Sequence, residues 1–217
     1  MTLELEAISL ATPERVLVRG LSARVGAGQV LAVMGESGSG KSSLLALLCG
    51  TLPAGLTGSG TVRLDGRDIT ALPIAERRVG LLFQDDLLFP HMSVLGNLLF
   101  ALPAGPHAAR VAQAEAALAQ ADLAGLGARR PHTLSGGQRA RVSVLRALLA
   151  QPRALLLDEP FSRLDAALRE RFRRFVFERI RALGVPAVLV THDPHDVPVG
   201  AQLISLDPET ETDANHA

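Results

Sequence analysis

The chain has 217 residues, 47% of them hydrophobic, so it is long enough to bury a full core and is predicted to form one compact unit. Its 22 basic and 22 acidic residues balance, which gives no global electrostatic reason to expect nucleic acid as a partner. The longest apolar stretches fall well short of the roughly 20 residues that span a bilayer, and the acidic, alternating start is unlike a signal peptide, so we expect a cytosolic chain that does not itself cross a membrane.

The first part of the chain is predicted to form strands around one glycine-rich loop. Residues that alternate between apolar and polar indicate two strands that pair as an antiparallel edge. A short apolar strand then runs straight into the glycine loop, and a helix follows that is stopped at Gly50. An Asp-Gly turn and a further buried strand come next. The predicted strands of this part are 3–10, 16–25, 29–34, 61–66 and 79–83.

A helical lobe is predicted to interrupt the sheet over about residues 86–150. Its sequence is rich in alanine, and glycines separate one helix from a second helix that opens after LSGG. Two continuous apolar strands follow, at 154–158 and 187–191, as expected for a parallel sheet that is covered on both faces. Between them, apolar residues at helical spacing predict an amphipathic crossover helix over 166–183. The arginines of this helix alternate with glutamates, which indicates a solvated face rather than a nucleic-acid surface.

The motif GESGSGKS at 35–42 fits the phosphate-loop pattern G-x-x-x-x-G-K-[ST], and it lies between a predicted strand and a predicted helix. Backbone N–H groups and the helix N-terminus would bind the β-phosphate of a nucleotide. Lys41, the only lysine of the chain, would neutralise the β- and γ-phosphates, and Ser42 would ligate Mg²⁺. The alternative is an ordinary glycine turn with a surface lysine. It is a poor alternative, because the only lysine of the chain would rarely complete this motif by chance. The predicted nucleotide-binding residues are Gly35, Glu36, Ser37, Gly38, Ser39, Gly40, Lys41, Ser42, Ser43 and Gln84.

Polar residues follow four apolar strands, and they are predicted to meet at one rim of the sheet. Asp158 can reach Mg²⁺ through water, and the adjacent Glu159 can orient or deprotonate the attacking water. Gln84 can offer its amide oxygen to Mg²⁺, while His192 can donate to the γ-phosphate. Each of these residues alone is weak evidence for a site, because strand ends often carry polar groups. Together with the phosphate loop, they favour ATP hydrolysis. The predicted catalytic residues are Lys41, Glu159 and His192, and the predicted Mg²⁺ ligands are Ser42, Gln84 and Asp158.

A second glycine motif, LSGGQ at 134–138, places a hydroxyl and two glycines at the start of a helix far from the phosphate loop. It is typical of a phosphate-binding cap, although a simple helix N-cap by Ser135 is the alternative. With this motif the sequence resembles the ATP-binding cassette family over nearly its whole length. The motifs that carry the resemblance are, in order, GESGSGKS, Gln84, LSGGQ, LLLDE, SRLD at 162–165 and His192.

The resemblance implies a P-loop NTPase fold of the α/β class, with a mostly parallel core sheet, an antiparallel β edge subdomain and an inserted α-helical lobe. We expect one domain over 1–207 and a disordered tail over 208–217. In this family two copies pair head to tail, so each ATP lies between the phosphate loop of one copy and the signature motif of the other. The residues expected to contact the nucleotide of the partner are Ser135, Gly136, Gly137, Gln138 and Asp165.

The segment 72–98 is similar to the importer ATPases for polyamines, iron, sulfate, molybdate and thiamine. The resemblance implies two membrane permease subunits, an extracytoplasmic solute-binding protein acting through them, and a peripheral position at the cytoplasmic face of the cell membrane. It also implies a groove that receives a helix of the permease. The candidate lining residues are Leu87, Leu88, Phe89, Pro90 and Met92. The alternative is that they are core residues of the helical lobe. The functional alternative within the family is an ATPase for lipoprotein release or cell division.

One departure from the family concerns adenine. The usual aromatic residue is replaced by Thr12, and the chain has neither tyrosine nor tryptophan. Arg15 or Val16 would have to cover the base instead. We therefore expect weak discrimination between ATP and GTP.

Overall fold

The computed structural model describes residues 1–83 and 85–206. The strands are β1 (Leu3–Ala11), β2 (Val16–Val25), β3 (Val30–Met34), β4 (Thr57–Leu64), β5 (Arg67–Asp68), β6 (Val79–Leu82), β7 (Ala154–Asp158), β8 (Ala187–Val190) and β9 (Gln202–Ser205). The helices are α1 (Lys41–Cys49), α2 (Ile74–Arg77), α3 (Val94–Ala101), α4 (His107–Gln120), α5 (Gly136–Leu149) and α6 (Ala166–Leu183). Two short 3₁₀ turns lie at Pro131–Thr133 and Pro194–Asp196.

A five-stranded parallel sheet forms the centre, in the order β6-β7-β8-β3-β9. Every residue of β7 and β8 is buried, as their continuous apolar sequences predict for strands covered on both faces. Because all five strands run in one direction, their carboxyl ends meet at the same edge. The predicted mostly parallel sheet is confirmed, and β9 is a strand that the sequence reading missed.

A second, antiparallel sheet has the order β2-β1-β4-β5 and forms the predicted edge subdomain. Its register shifts between Glu6 and Ser9, where Ala7 takes a positive φ of 50°. Gly60 lies opposite this bulge, and a Cβ on it would lie 2.7 Å from the Ala7 carbonyl oxygen. Only glycine fits so close a backbone approach without strain.

Two apolar clusters cover the two faces of the parallel sheet. One joins α1 and the antiparallel sheet to residues such as Leu156 and Val188. The other joins α3, α4, α5 and α6 to the opposite face, with Phe161 fully buried at its centre. The helices of the predicted lobe, about 86–150, therefore share their core with the sheet. No helix in the described parts of the chain is long and apolar enough to cross a membrane.

Candidate functional site

The phosphate loop joins the end of β3 to the start of α1, as the sequence predicts. Gly38 and Gly40 both have positive φ angles, of 82° and 96°. A Cβ on Gly40 would also lie 2.9 Å from the Cβ of Leu17, so a larger residue there would be strained and crowded. The backbone can thus turn tightly and present N–H groups at the helix N-terminus, where they suit an anion.

Lys41 is the first residue of α1, and its side chain folds back over the loop. Its Nζ donates to the carbonyl oxygens of Gly35 at 2.8 Å and of Glu36 at 2.7 Å. The side chain is buried, although it also lines the pocket beside the loop. These bonds hold the ammonium group at the pocket wall, where a phosphate would meet it.

The acidic pair at the end of β7 lies directly beside the loop. Burial raises the pKa of Asp158, and a hydrogen bond from the Ser42 side chain partly offsets that rise. Glu159 Oε1 lies 2.9 Å from Nδ1 of His192, which follows β8. Hydroxyl and carboxylate groups are therefore adjacent to a carboxylate–imidazole pair, as a hydrolytic site requires.

Glu159 has a positive φ of 45°, which is uncommon for a residue with a side chain. Its N–H donates to the Val190 carbonyl at 3.0 Å, and its own carbonyl accepts from the Ser162 hydroxyl at 3.0 Å. Bonds to Val190 and Ser162 thus hold the backbone of Glu159 in a strained conformation, a feature that clusters at functional sites.

These groups surround one pocket of about 460 Å³. It brings together eight of the residues predicted from sequence: Ser37, Gly38, Gly40, Lys41, Ser42, Ser43, Glu159 and His192. Gly35 and Glu36 border it through their bonds to Lys41, whereas Ser39 turns away and lines a different pocket. Gln84 lies outside the described residues, so its predicted role stays a prediction.

The residues expected near the nucleotide base come from the turn between β1 and β2 and from β2. Thr12, Arg15 and Leu17 line the same pocket, and Nη2 of Arg15 donates to the Gly38 carbonyl at 2.7 Å. Val16, the other residue expected to cover the base, is 49% exposed and lines a different pocket. Of the two residues expected to cover the base, only Arg15 lines this pocket.

The signature residues lie away from this pocket, at the start of α5. Ser135 is the N-cap: its hydroxyl accepts from the Gln138 N–H at 3.2 Å, and Gln138 Oε1 accepts from the Ser135 N–H at 2.9 Å. This reciprocal capping box is the simple alternative that the sequence left open. Among the described residues that line the nucleotide pocket, none comes from 134–138 or from Asp165, which caps α6.

An ion network that the sequence reading missed connects the segment after Gln84 to both of these caps. Asp86 pairs with Arg139 of α5 at 3.2 Å and with Arg163, two residues before Asp165, at 3.1 Å. The Ser143 hydroxyl also donates to the Asp86 carbonyl at 2.7 Å. Paired charges so distant in sequence carry no local signal, which is why only the fold reveals them.

A largely apolar groove of about 310 Å³ lies on the same segment. Leu87 and Phe89 line it, as expected, whereas Leu88 packs against the core and so fits the alternative reading. Phe100, which the sequence reading missed, is 64% exposed and stacks edge-on against Phe89 with ring centroids 4.8 Å apart. Neither of the other two candidates, Pro90 and Met92, is among the described lining residues.

Comparison with known proteins agrees with this geometry. A family model described as ABC transporter matches residues 18–162, well over half of the chain. The chain belongs to this family. It is an ATP-binding cassette ATPase, with the P-loop NTPase fold expected from its motifs.

Individual relatives cover almost the whole chain. The uncharacterized ABC transporter ATP-binding protein YnjD of Escherichia coli is 48% identical over 200 residues, which are 92% of each protein. The taurine import ATP-binding protein TauB of Pseudomonas putida is 44% identical over 95% of this chain and 78% of its own length. A solved dimeric structure of the ATP-binding cassette MJ0796, in a post-hydrolysis state bound to ADP and Pi, has a TM-score of 0.82 and 28% identity. That match covers 95% of this chain and 96% of the other.

Proposed function

We propose that this cassette ATPase energises solute import through separate membrane subunits. The apolar groove carries this proposal, because Leu87 and Phe100 are each more than half exposed beside Phe89. Exposed apolar patches of this kind are typical of protein contacts. Relatives that are named as import proteins, such as TauB, support import rather than export. The chain would lie peripherally at the cytoplasmic face of the cell membrane, as one cassette domain over 1–207.

Hydrolysis is assigned to the residues around the phosphate loop. Glu159 would act as general base on the attacking water, and His192, at 2.9 Å from it, would orient that carboxylate and hold the γ-phosphate. Lys41 would neutralise the β- and γ-phosphates of ATP from its place at the pocket wall. These roles use only groups that already face the pocket.

The donor set also fits Mg²⁺, which prefers oxygen ligands. Ser42 and Asp158 are hydrogen-bonded to each other beside the loop, and both offer oxygen atoms. We assign these two residues, with Gln84, as the groups that would hold the ion. Bound there, Mg²⁺ would neutralise charge on the transferring phosphate.

A second copy of the chain would complete each nucleotide site. The exposed Ser135 and Asp165, with Gly136, Gly137 and Gln138, lie outside the pocket of their own chain. The dimeric state of the MJ0796 structure supports the pairing of two copies, which the family resemblance implies to be head to tail. To contact the ATP held by the partner, Ser135 would have to bond to its γ-phosphate, either in place of the capping bonds with Gln138 or in addition to them.

The groove is tested by placing a charge in it. Phe100→Glu should abolish recruitment of the chain to membranes that contain its permease subunits, and should leave ATP binding intact. Val199→Glu is the matched control, because Val199 is fully exposed and lies outside the groove. A Phe100→Glu chain that is still recruited and still supports solute uptake would contradict the proposal. A solute-binding protein would act on the permease and is expected to leave the purified ATPase unaffected.

A further inference from the structure

The carboxylate of Asp86 joins three segments of the chain that lie far apart in sequence. It pairs with Nε of Arg139 at 3.2 Å and with Nη1 of Arg163 at 3.1 Å, and the Asp86 side chain is only 11% exposed. We call these three residues the Asp86 clamp. Asp86 follows β6, Arg139 lies in α5, and Arg163 lies between β7 and α6. None of the three is among the described residues that line the nucleotide pocket, so no role assigned above uses them.

Arg139 fixes the start of α5, where the signature motif lies. Its Nη1 donates to the Leu134 carbonyl at 2.8 Å, while its Nε is held by Asp86. Its backbone N–H donates to the Ser135 carbonyl at 3.0 Å. Through this one arginine, the Asp86 carboxylate therefore helps to fix the position of the Ser135 hydroxyl.

Arg163 fixes the turn that ends at Asp165, the N-cap of α6. Its Nη1 bonds to Asp86 and its Nη2 bonds to Asp85 at 3.1 Å, so both ends of the guanidinium are held. The same turn packs against α5, because the Arg163 carbonyl oxygen would lie 3.2 Å from a Cβ placed on Gly137. The turn and the start of α5 are therefore in contact with each other and share one carboxylate.

The position of Asp86 is itself fixed by α5. The buried Ser143 donates its hydroxyl to the Asp86 backbone carbonyl at 2.7 Å. The Asp86 carboxylate has little contact with water and needs its cations, because an unpaired buried charge is costly. The two arginine side chains are more exposed, at 35% and 38%, so water can hydrate them when the carboxylate is neutralised. Removing the charge of Asp86 is therefore expected to loosen the clamp without leaving a buried charge unpaired.

We propose that the Asp86 clamp positions the two groups that contact the ATP of the partner, by holding Ser135 and Asp165 at the separation that a second copy requires. The inference rests on the two-copy nucleotide site proposed above. Groups that are already fixed before the copies meet lose less conformational freedom on pairing, so pairing is tighter. Because the clamp lies outside the pocket of its own chain, ATP binding by a single chain does not depend on it.

The test measures ATP-driven pairing of Glu159→Gln chains, by sedimentation velocity, with and without the further change Asp86→Asn. The amide keeps the size of the carboxylate and removes its charge. Asp86→Asn should weaken pairing about tenfold, a coupling within the usual range between distinct sites. ATP affinity, measured at protein concentrations too low for pairing, should be unchanged. The matched control is Glu6→Gln, which neutralises a carboxylate paired with Arg63 at 3.0 Å in the antiparallel sheet and should change neither quantity.

A double-mutant cycle tests whether the two arginines are the partners through which Asp86 acts. In a chain that carries Arg139→Gln and Arg163→Gln, the further change Asp86→Asn should no longer weaken pairing, because the charge that it removes has lost its partners. Equal pairing with and without Asp86→Asn overturns the inference, and so does an equal effect in both backgrounds. A loss of single-chain ATP affinity as large as the loss of pairing also overturns it, since it would indicate a general distortion of the fold. Absence of ATP-driven pairing in Glu159→Gln alone refutes the proposed two-copy site, and the inference then falls with it.

Discussion

Replacing Arg77 with methionine tests how α1, the helix that begins at Lys41, is held in place. Arg77 is 7% exposed, and burial lowers its pKa. Its guanidinium donates to the carbonyl oxygens of Leu48 at 3.0 Å, of Leu72 at 2.9 Å and of Thr70, and a fourth, longer bond of 3.4 Å reaches the carbonyl oxygen of Leu47. The side chain thereby joins the end of α1 to the segment before α2.

The expected cost follows mainly from the three shorter bonds. Methionine fills a similar volume but donates nothing, so each of these three carbonyl groups loses a charged donor, and the Leu47 carbonyl loses a weaker one. At roughly 1–1.5 kcal/mol net for each bond, less the relief of a buried charge, the free energy of unfolding should fall by about 3 kcal/mol. Because about 1 kcal/mol shifts the Tm of a chain this size by roughly 2–4 °C, the Tm should fall by roughly 6–12 °C.

The assay is thermal unfolding of the nucleotide-free chain, followed by circular dichroism. Arg78→Met is the matched control, because Arg78 is the exposed neighbour, and its Tm should change by less than about 2 °C. ATP should still raise the Tm of Arg77→Met, since Arg77 does not line the nucleotide pocket. Equal Tm losses for the two variants would refute the reasoning.

Three further predictions concern the site and its surroundings. Lys41→Ala should fold, but ATP should no longer raise its Tm; a normal shift would contradict the role of Lys41. The unaltered chain should bind ATP and GTP with comparable affinity in equilibrium titrations, whereas a strong preference for ATP would mean that another group reads the base. Burial raises the pKa of Asp196 above 3.8, although a Thr191 bond opposes this, so its ionisation costs stability as the pH rises through that raised value. In urea unfolding, the stability of Asp196→Asn relative to the unaltered chain should therefore be greater at about pH 7 than at about pH 3, and a difference that does not change with pH would contradict this.

Much of the fold could be predicted because periodic apolar patterns are local signals. The predicted bounds of β2, β7 and α6 agree with the structure, since each has a continuous or regular apolar pattern. β9 was missed because its four residues, Gln202–Ser205, are largely exposed and carry only a weak pattern. The tail predicted over 208–217 lies outside the described residues.

The nucleotide pocket was predictable because its motifs combine fixed spacing with strand ends that meet at one edge. The sequence could not show which way individual side chains point or which of them are buried. Ser39 belongs to the phosphate-loop motif yet lines a different pocket, and Arg77 is one buried arginine in an arginine-rich chain. Asp86 likewise gains its partners Arg139 and Arg163 only through the fold. Ion pairs between residues so far apart in the chain produce no periodic pattern in the sequence.

The claim that Glu159 hydrolyses ATP between two copies of the chain is tested most directly by Glu159→Gln. The amide keeps the shape of the side chain but cannot accept a proton from water. With ATP and Mg²⁺, phosphate release should fall by at least about 100-fold, and light scattering should show a persistent dimer. A variant that turns over ATP at the original rate, or that stays monomeric with ATP bound, would contradict the account.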